Sequence, residues 1–326
     1  MVFYWFMQKA NSNYTDTSII IPCFNEENTI SKVVEQFKSQ LPGVHILVVD
    51  NGSTDKTFSI AELTGARVLQ ELQQGKGFAV RRGFRECNSP VLLMVDGDLT
   101  YDPLVAGEMI ENIRNGFDMV VANRNLSSTS AYRKGHKIGN RFFSYAQSFL
   151  FDSMISDSLS GYRAFSNLFV ESFVMQPRGF EIEASLNIHA DLLNAKVKNL
   201  DTNYFARPPG SFSKLSTLGD GLKISSTILK YLIKYRPYLV FSFIATVLLL
   251  VSFSLSLIPG LEFLQTGKIL HIPTLITSMS IAIIAVLTLF YGLISQKIIE
   301  FQMQSMRMNY KLFKTTKSFF KNPENI

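Results

Sequence analysis

Asp96-Gly97-Asp98 sets two carboxylates two residues apart, directly after the apolar run Val91-Leu92-Leu93-Met94-Val95. Such a run reads as a strand buried on both faces, and in open α/β sheets ligands gather beyond the carboxyl ends of the strands. If the segment stays extended, Asp96 and Asp98 project to the same side, and Gly97 lets a ligand approach the backbone between them. Two like charges this close call for a cation, and hard oxygen donors suit Mg2+ or Mn2+. A solvated turn after a strand would contain the same three residues, so their meaning depends on the elements that position them.

Those elements alternate. Ser18 to Pro22 is a short apolar strand; Asn25 reads as an N-cap, with Glu26 and Glu27 at the positive end of a helix that buries Ile30, Val33, Val34 and Phe37 and stops at Pro42-Gly43. Val44 to Val49 forms a second strand ending at Asp50. Asn51-Gly52-Ser53-Thr54-Asp55 then turns into a helix through Leu63 that Gly65 closes. Arg67 to Leu69 is a third strand, and Gly75-Lys76-Gly77 opens a helix running to Cys87 ahead of the Asp96 strand. Short connections and strand–helix alternation predict a parallel, Rossmann-like sheet with Pro22, Asp50 and Asp96 on one edge. There Asp50 could accept from a ribose or a base edge, and Lys76 at a helix start could meet a phosphate. No Gly-x-Gly-x-x-Gly follows the first strand and no Gly-x-x-x-x-Gly-Lys-Ser/Thr occurs, which disfavours a dehydrogenase or a P-loop NTPase.

Downstream, Asp102-Pro103 reads as the cap and first turn of a helix ending at Gly116, and Asp118 to Ala122 as a strand that delivers Asn123-Arg124. Arg124, Arg133, Lys134, Lys137 and Arg141 follow with few acids nearby, a set suited to an anionic acceptor. Ser156-Asp157-Ser158-Leu159-Ser160-Gly161-Tyr162-Arg163 carries a carboxylate in a loop of small residues, and Gly179-Phe180-Glu181-Ile182-Glu183 opens a helix with apolar Ile182, Leu186 and Ile188.

The 326 residues are 47% hydrophobic and carry a formal charge of +6. Much of the apolar content lies near the C-terminus: Tyr238 to Ile258 and Leu275 to Ser295 are charge-free and approach the ~20 residues needed to cross a bilayer. Lysines and arginines flank both outer ends, while the connection holds only Lys268, so the positive-inside rule places both termini and the catalytic part in the cytoplasm. The basic residues cluster beside these spans without a recognition motif, which argues for a membrane and against a nucleic-acid partner. Two cysteines, Cys23 and Cys87, make neither a disulfide framework nor a metal-ligand spacing and fit a reducing compartment. The expected organisation is an arm over 1–16, a catalytic domain over 17–216, an interfacial amphipathic helix over 217–236, the two spans, and a basic tail over 297–326.

Ile21-Pro22-Cys23-Phe24-Asn25-Glu26, Val48-Val49-Asp50-Asn51-Gly52-Ser53-Thr54-Asp55, Gly75-Lys76-Gly77 and Asp96-Gly97-Asp98, in that order, resemble glycosyltransferase family 2. The loop around Asp157, Gly210-Ser211-Phe212-Ser213-Lys214 and the C-terminal hairpin are similar to its polyprenyl-phosphate branch, the dolichyl-phosphate-mannose synthases and undecaprenyl-phosphate glucosyltransferases. The resemblance implies an α/β, mostly parallel GT-A domain followed by a two-helix transmembrane hairpin in a bacterial plasma membrane. It also implies inverting transfer from a nucleotide-sugar, UDP-glucose first and GDP-mannose second, to a polyprenyl phosphate. By that resemblance Pro22, Asn25, Glu26 and Asp50 would contact the nucleotide, Lys76, Asp96 and Gly97 the donor, and Asp96 and Asp98 the Mg2+ or Mn2+. Arg124 and Arg133 would hold the lipid phosphate, Lys214 another phosphate, and Asp157 would act as base or orient an arginine, the base being preferred. Thr100 stands where many relatives have glutamine, which puts its place around the metal in doubt. The rival readings are a family 2 enzyme with a hydroxyl acceptor, and an inert nucleotide-sugar-binding scaffold. The only tryptophan is Trp5, so the Gln-x-x-Arg-Trp motif of processive synthases is absent. Oligomeric state, a homo-oligomer included, is left open.

Overall fold

Strand β1 (Thr17–Cys23) is buried along its whole length, as Ser18 to Pro22 require once they are paired on both sides and covered on both faces. The structure, a computed structural model, describes residues 13–125, 155–208, 226 and 229–321. The chain divides into two units, Met1–Ser226 with Tyr310–Ile326, and Thr227–Asn309.

In the first unit, β1 pairs in parallel with β2 (His45–Asp50) and β4 (Val91–Met94), and β2 with β3 (Arg67–Gln70). The connecting helices are α1 (Ile30–Gln40), α2 (Thr57–Leu63) and α3 (Lys76–Glu86). Helix α1 buries Ile30, Val33, Val34 and Phe37, the face its periodicity predicts. Helix α3 comes so close to β1 that a Cβ on Gly83 would stand 2.4 Å from Ile20 Cγ2. The β1–β4 pairing ends at Ile20↔Met94, so Pro22, which lacks an N–H, sits where no donor toward β4 is needed.

Three further strands extend the sheet to the order β3-β2-β1-β4-β6-β5-β7, with β5 (Met119–Asn125), β6 (Arg163–Ser166) and β7 (Val197–Asn203). The short β6 is antiparallel to both β4 and β5, whereas β5 and β7 pair in parallel. Two reversals restore the direction, so β5 ends on the same edge as β1, β2 and β4. The sheet is therefore mostly parallel, as the alternation predicts, with one inserted strand that the alternation does not reveal. Asp102 accepts from Leu104 N at 3.0 Å and caps a 3-10 turn (Pro103–Val105) leading into α4 (Ala106–Arg114). Helices α5 (Asn167–Glu171) and α6 (Ile182–Leu193) complete the domain.

The second unit is built on two long helices, α7 (Pro237–Thr266) and the larger part of α8 (Ile272–Lys321), both long and apolar enough to cross a membrane. Their packing uses small residues: Ser252 Oγ donates to Ser278 O at 2.7 Å, and a Cβ on Gly292 would stand 2.7 Å from Phe241 Cβ. Both helices extend beyond the spans expected from composition. Most of the expected interfacial helix lies outside the described residues.

From Tyr310 onward α8 belongs to the first unit. Buried Asp118, just before β5, accepts from Tyr310 Oη at 2.9 Å, Lys314 Nζ at 2.6 Å and, from just before β7, the backbone N–H of Lys196 at 2.8 Å. Asp118→Ala leaves these donors without their acceptor and is expected to destabilise the first unit by about 2–3 kcal/mol. Lys314→Met, which removes only a half-exposed ammonium, should cost below about 1 kcal/mol. Thermal unfolding in detergent checks both; equal midpoints for wild type and Asp118→Ala would mean the tail is not held there.

Candidate active site

The carboxyl edge of β1, β2, β4 and β5 collects Pro22, Asp50, Asp96 and Arg124, and the loops beyond it are fastened to one another by side chains. Asn25 has a left-handed φ of 53° and is no helix cap; α1 begins at Ile30. It serves the next loop instead, its backbone N–H donating to Ser53 Oγ at 2.9 Å and its side-chain Oδ1 accepting from Thr54 N at 2.8 Å. Glu26 N donates to Thr57 Oγ1 at 2.8 Å, and the Glu26 side chain is buried beside Thr29. Asp50 is buried at the end of β2. Its Oδ2 accepts from Ser53 N at 3.3 Å, and its Oδ1 has no hydrogen-bond partner, an orphan acceptor at the strand end.

Asn51 shapes the approach to Lys76. Its Nδ2 donates to Glu71 O at 3.1 Å and Gln73 O at 2.7 Å, and its Oδ1 accepts from Gly75 N at 2.6 Å. Gly75 has φ 136°, and a Cβ there would stand 2.1 Å from Arg178 O, while one on Gly77 would stand 2.5 Å from Pro177 O. The two glycines thus let the start of α3 lie against the backbone at 177–178. Lys76 Nζ pairs with Asp96 Oδ1 at 2.5 Å and with Glu183 Oε1, from α6, at 2.6 Å. Burial works against the Lys76 charge, but the two carboxylates outweigh it and hold the ammonium above its ordinary range. Burial likewise raises the Glu183 carboxyl, against the pull of Lys76.

Beyond Asp96 the chain is not extended. Gly97 and Asp98 form a turn and Leu99 has φ 61°, and the two carboxylates take different cationic partners. Asp98 Oδ2 pairs with Arg207 at 2.6 Å, and Oδ1 accepts from Thr100 Oγ1 at 2.6 Å. Burial and then Asp96 raise the Asp98 carboxyl, with Arg207 opposing. Gly97 is required by a close approach, since its Cβ would lie 2.6 Å from Cys23 Sγ, and its carbonyl accepts from Thr29 Oγ1 at 2.7 Å. Gly161 faces the other side of Asp96. Its N–H donates to Tyr101 Oη at 2.9 Å, and a Cβ there would stand 2.4 Å from Asp96 Oδ2.

Arg124 grips Asp157 with both arms, Nε to Oδ2 at 2.7 Å and NH2 to Oδ1 at 2.7 Å, and its backbone N reaches Oδ2 at 3.2 Å. The guanidinium lies over the Tyr204 ring at 5.5 Å. The structure therefore brings together Lys76 with Asp96, and Arg124 with Asp157, on one edge. Glu183, Arg207 and Arg163, which join these groups, are absent from the sequence-based set. Arg133 and Lys214, with Lys134, Lys137 and Arg141, lie outside the described residues. Among the described residues no cluster of three or more His, Cys, Asp or Glu side chains is placed to hold a metal.

The sheet is of the GT-A type, mixed but mostly parallel, with the acidic turn after β4 at its carboxyl edge. It is shared with glucosyl-3-phosphoglycerate synthase from Mycobacterium tuberculosis, solved with Mn2+, UDP and glucosyl-3-phosphoglycerate: 21% identity, TM-score 0.55, covering 69% of this chain and 81% of that one. Residues 18–172 match the sequence profile of Glycosyl transferase family 2. Similar over most of its length is glycosyltransferase AglJ of Haloferax volcanii, 29% identical over 291 residues, 89% of this chain and 95% of that protein. Also similar is the dolichyl-phosphate hexose transferase of the same organism, 25% identical over 223 residues, 68% of this chain and 96% of that protein. The chain belongs to glycosyltransferase family 2 and is a glycosyltransferase.

The crowding of Asp96 yields a prediction. Gly161→Ala must displace the Asp96 carboxylate from Lys76, and the expected loss of sugar transfer is on the order of a hundredfold. Circular dichroism should stay that of wild type; undiminished transfer would show that the Asp96–Lys76 pairing is not needed.

Proposed function

We propose that the chain transfers a monosaccharide, with inversion, from a nucleotide-sugar to a polyprenyl phosphate at the cytoplasmic face of a plasma membrane. The observation that carries the reading is the pairing, on one sheet edge, of a buried ammonium among carboxylates with a second, separate guanidinium held by its own carboxylate. Support comes from the apolar hairpin that follows and from the similarity to a dolichyl-phosphate hexose transferase. UDP-glucose is the first donor proposed and GDP-mannose the second.

Such a transfer needs little general-base help, because a phosphomonoester acceptor is largely anionic at neutral pH, with a second ionisation at about 6. The protein must align the acceptor oxygen with the anomeric carbon and neutralise the departing diphosphate. Arg124 is assigned the first task. Asp157 spends both its oxygens on that guanidinium, so it is assigned to hold Arg124 in place and not to act as a base. Lys76 is assigned the second task, and Asp50, with its unpaired Oδ1, the nucleoside.

Asp96 and Asp98 offer the hard carboxylate oxygens that suit a divalent cation, and the Asp96 side chain keeps 26% of its surface exposed. Mg2+ or Mn2+ held there would add positive charge to the leaving diphosphate. Thr100 is assigned to orient Asp98 through its hydroxyl. Arg207 holds the same carboxylate and competes with any cation for it.

A panel of labelled nucleotide-sugars against undecaprenyl phosphate, followed by lipid extraction, tests the proposal. A labelled lipid that survives mild base but is released by mild acid is expected; transfer only to hydroxyl acceptors would overturn it. Asp98→Asn should lower the rate at least about a hundredfold. Arg207→Gln should bind Mn2+ about tenfold more tightly in the absence of nucleotide, read by electron paramagnetic resonance. An unchanged Mn2+ affinity would remove the competition.

A further inference from the structure

Arg163 is among the largest side chains with no solvent exposure, and among the described residues it makes no ion pair. Burying a guanidinium without a carboxylate is costly, and a leucine or methionine would fill the same space. What the charge provides is direction. Nε donates to Ser160 O at 2.8 Å, NH2 to Ser158 O at 3.0 Å, and NH1 to Asn187 Oδ1. Asn187 Nδ2 donates to the same Ser158 carbonyl at 3.0 Å, so two donors from different elements converge on one oxygen. These carbonyls belong to the loop that carries Asp157. Burial pulls the Arg163 guanidinium down to about 10, which leaves it charged at neutral pH.

Asn187 also sits one helical turn after Glu183, on the face of α6 that meets the sheet. One helix therefore holds Lys76 through Glu183 and the Asp157 loop through Asn187 and Arg163. We propose that Arg163 and Asn187 are positioning residues: they fix the Asp157 loop, and with it Arg124, in register with the Lys76 that faces the donor. This rests on the assignment of Arg124 to the acceptor.

Asn187→Ala and Arg163→Lys test it in the full-length enzyme in detergent micelles. Three quantities are measured for each: UDP affinity by calorimetry, kcat and KM for undecaprenyl phosphate with UDP-glucose, and the thermal midpoint. Asn187→Ala is expected to keep UDP affinity within about twofold while kcat/KM for the lipid phosphate falls about ten- to a hundredfold. Arg163→Lys, which keeps the charge but not the fork, should show the same split. Losses of UDP affinity and transfer that follow the thermal midpoint together would overturn the proposal, as would unchanged acceptor kinetics in Asn187→Ala. Arg124→Lys separates the two levels. If it leaves acceptor KM and kcat at wild-type values, the assignment of Arg124 fails, and the positioning proposal falls with it. If Arg124→Lys is impaired and Asn187→Ala is not, only the positioning proposal falls.

Discussion

A single ammonium between two carboxylates organises this domain. Lys76 stands at the start of α3, Asp96 at the end of β4, and Glu183 arrives from α6, 107 residues further along. None of the three is comfortable alone. An isolated buried carboxylate or ammonium would be driven to neutrality, whereas a paired set keeps its charge and demands exact placement. This edge of the sheet is therefore incomplete until the second half of the domain has folded onto it. The inserted β6 and helix α6 are as much a part of it as the parallel half that carries the more familiar sequence.

How much of this was legible depended on whether the signal was local. The strands β1, β2 and β4 are continuous apolar runs between turn residues, and their parallel direction follows from the helices between them. Their carboxyl ends, Pro22, Asp50 and Asp96, could be put on one edge without coordinates. The strand β6 has four residues and begins with a buried arginine, and β7 reads Val-Lys-Asn-Leu-Asp-Thr-Asn, polar along most of its length. Neither has a pattern to find. Glu183 and Arg207 were missed for the same reason, because each meets its partner across the fold. Arg163 closes the small-residue loop after Asp157, and nothing local in the sequence marks it as the fully buried residue it is. Asn25 shows the opposite error, a residue with cap chemistry whose backbone N–H and side-chain oxygen brace a neighbouring loop. The expectation of an extended Asp96-Gly97-Asp98 failed because the chain already turns at Gly97-Asp98, ahead of a left-handed Leu99.

The loop motifs that made the family recognisable are largely bracing. Ser53, Thr54, Asp55 and Thr57 exchange hydrogen bonds with Asn25, Glu26 and Glu27, and Asn51 carries the segment up to Gly75. Of this stretch Asp50 keeps an acceptor oxygen unpaired. Similar motifs thus testify first to a shared loop architecture and only through it to a shared ligand. This is why fold and family are secure from the sequence, while the sugar and the acceptor need a direct assay.

Strand β5 connects two kinds of constraint. Asp118 at its start receives Tyr310 and Lys314 from the end of α8, and Arg124 near its finish grips Asp157. A short strand transmits displacement along its length with little loss, because both neighbours are hydrogen-bonded to it and Met119 to Ala122 are buried. The polypeptide that leaves the sheet and returns as the tail is thus anchored on the strand that presents Arg124. Any movement of Asp118 is opposed at the far end by a bidentate ion pair, which has little freedom to tilt. Arg124 is consequently held from two directions, by the small-residue loop that carries Asp157 and by its own strand.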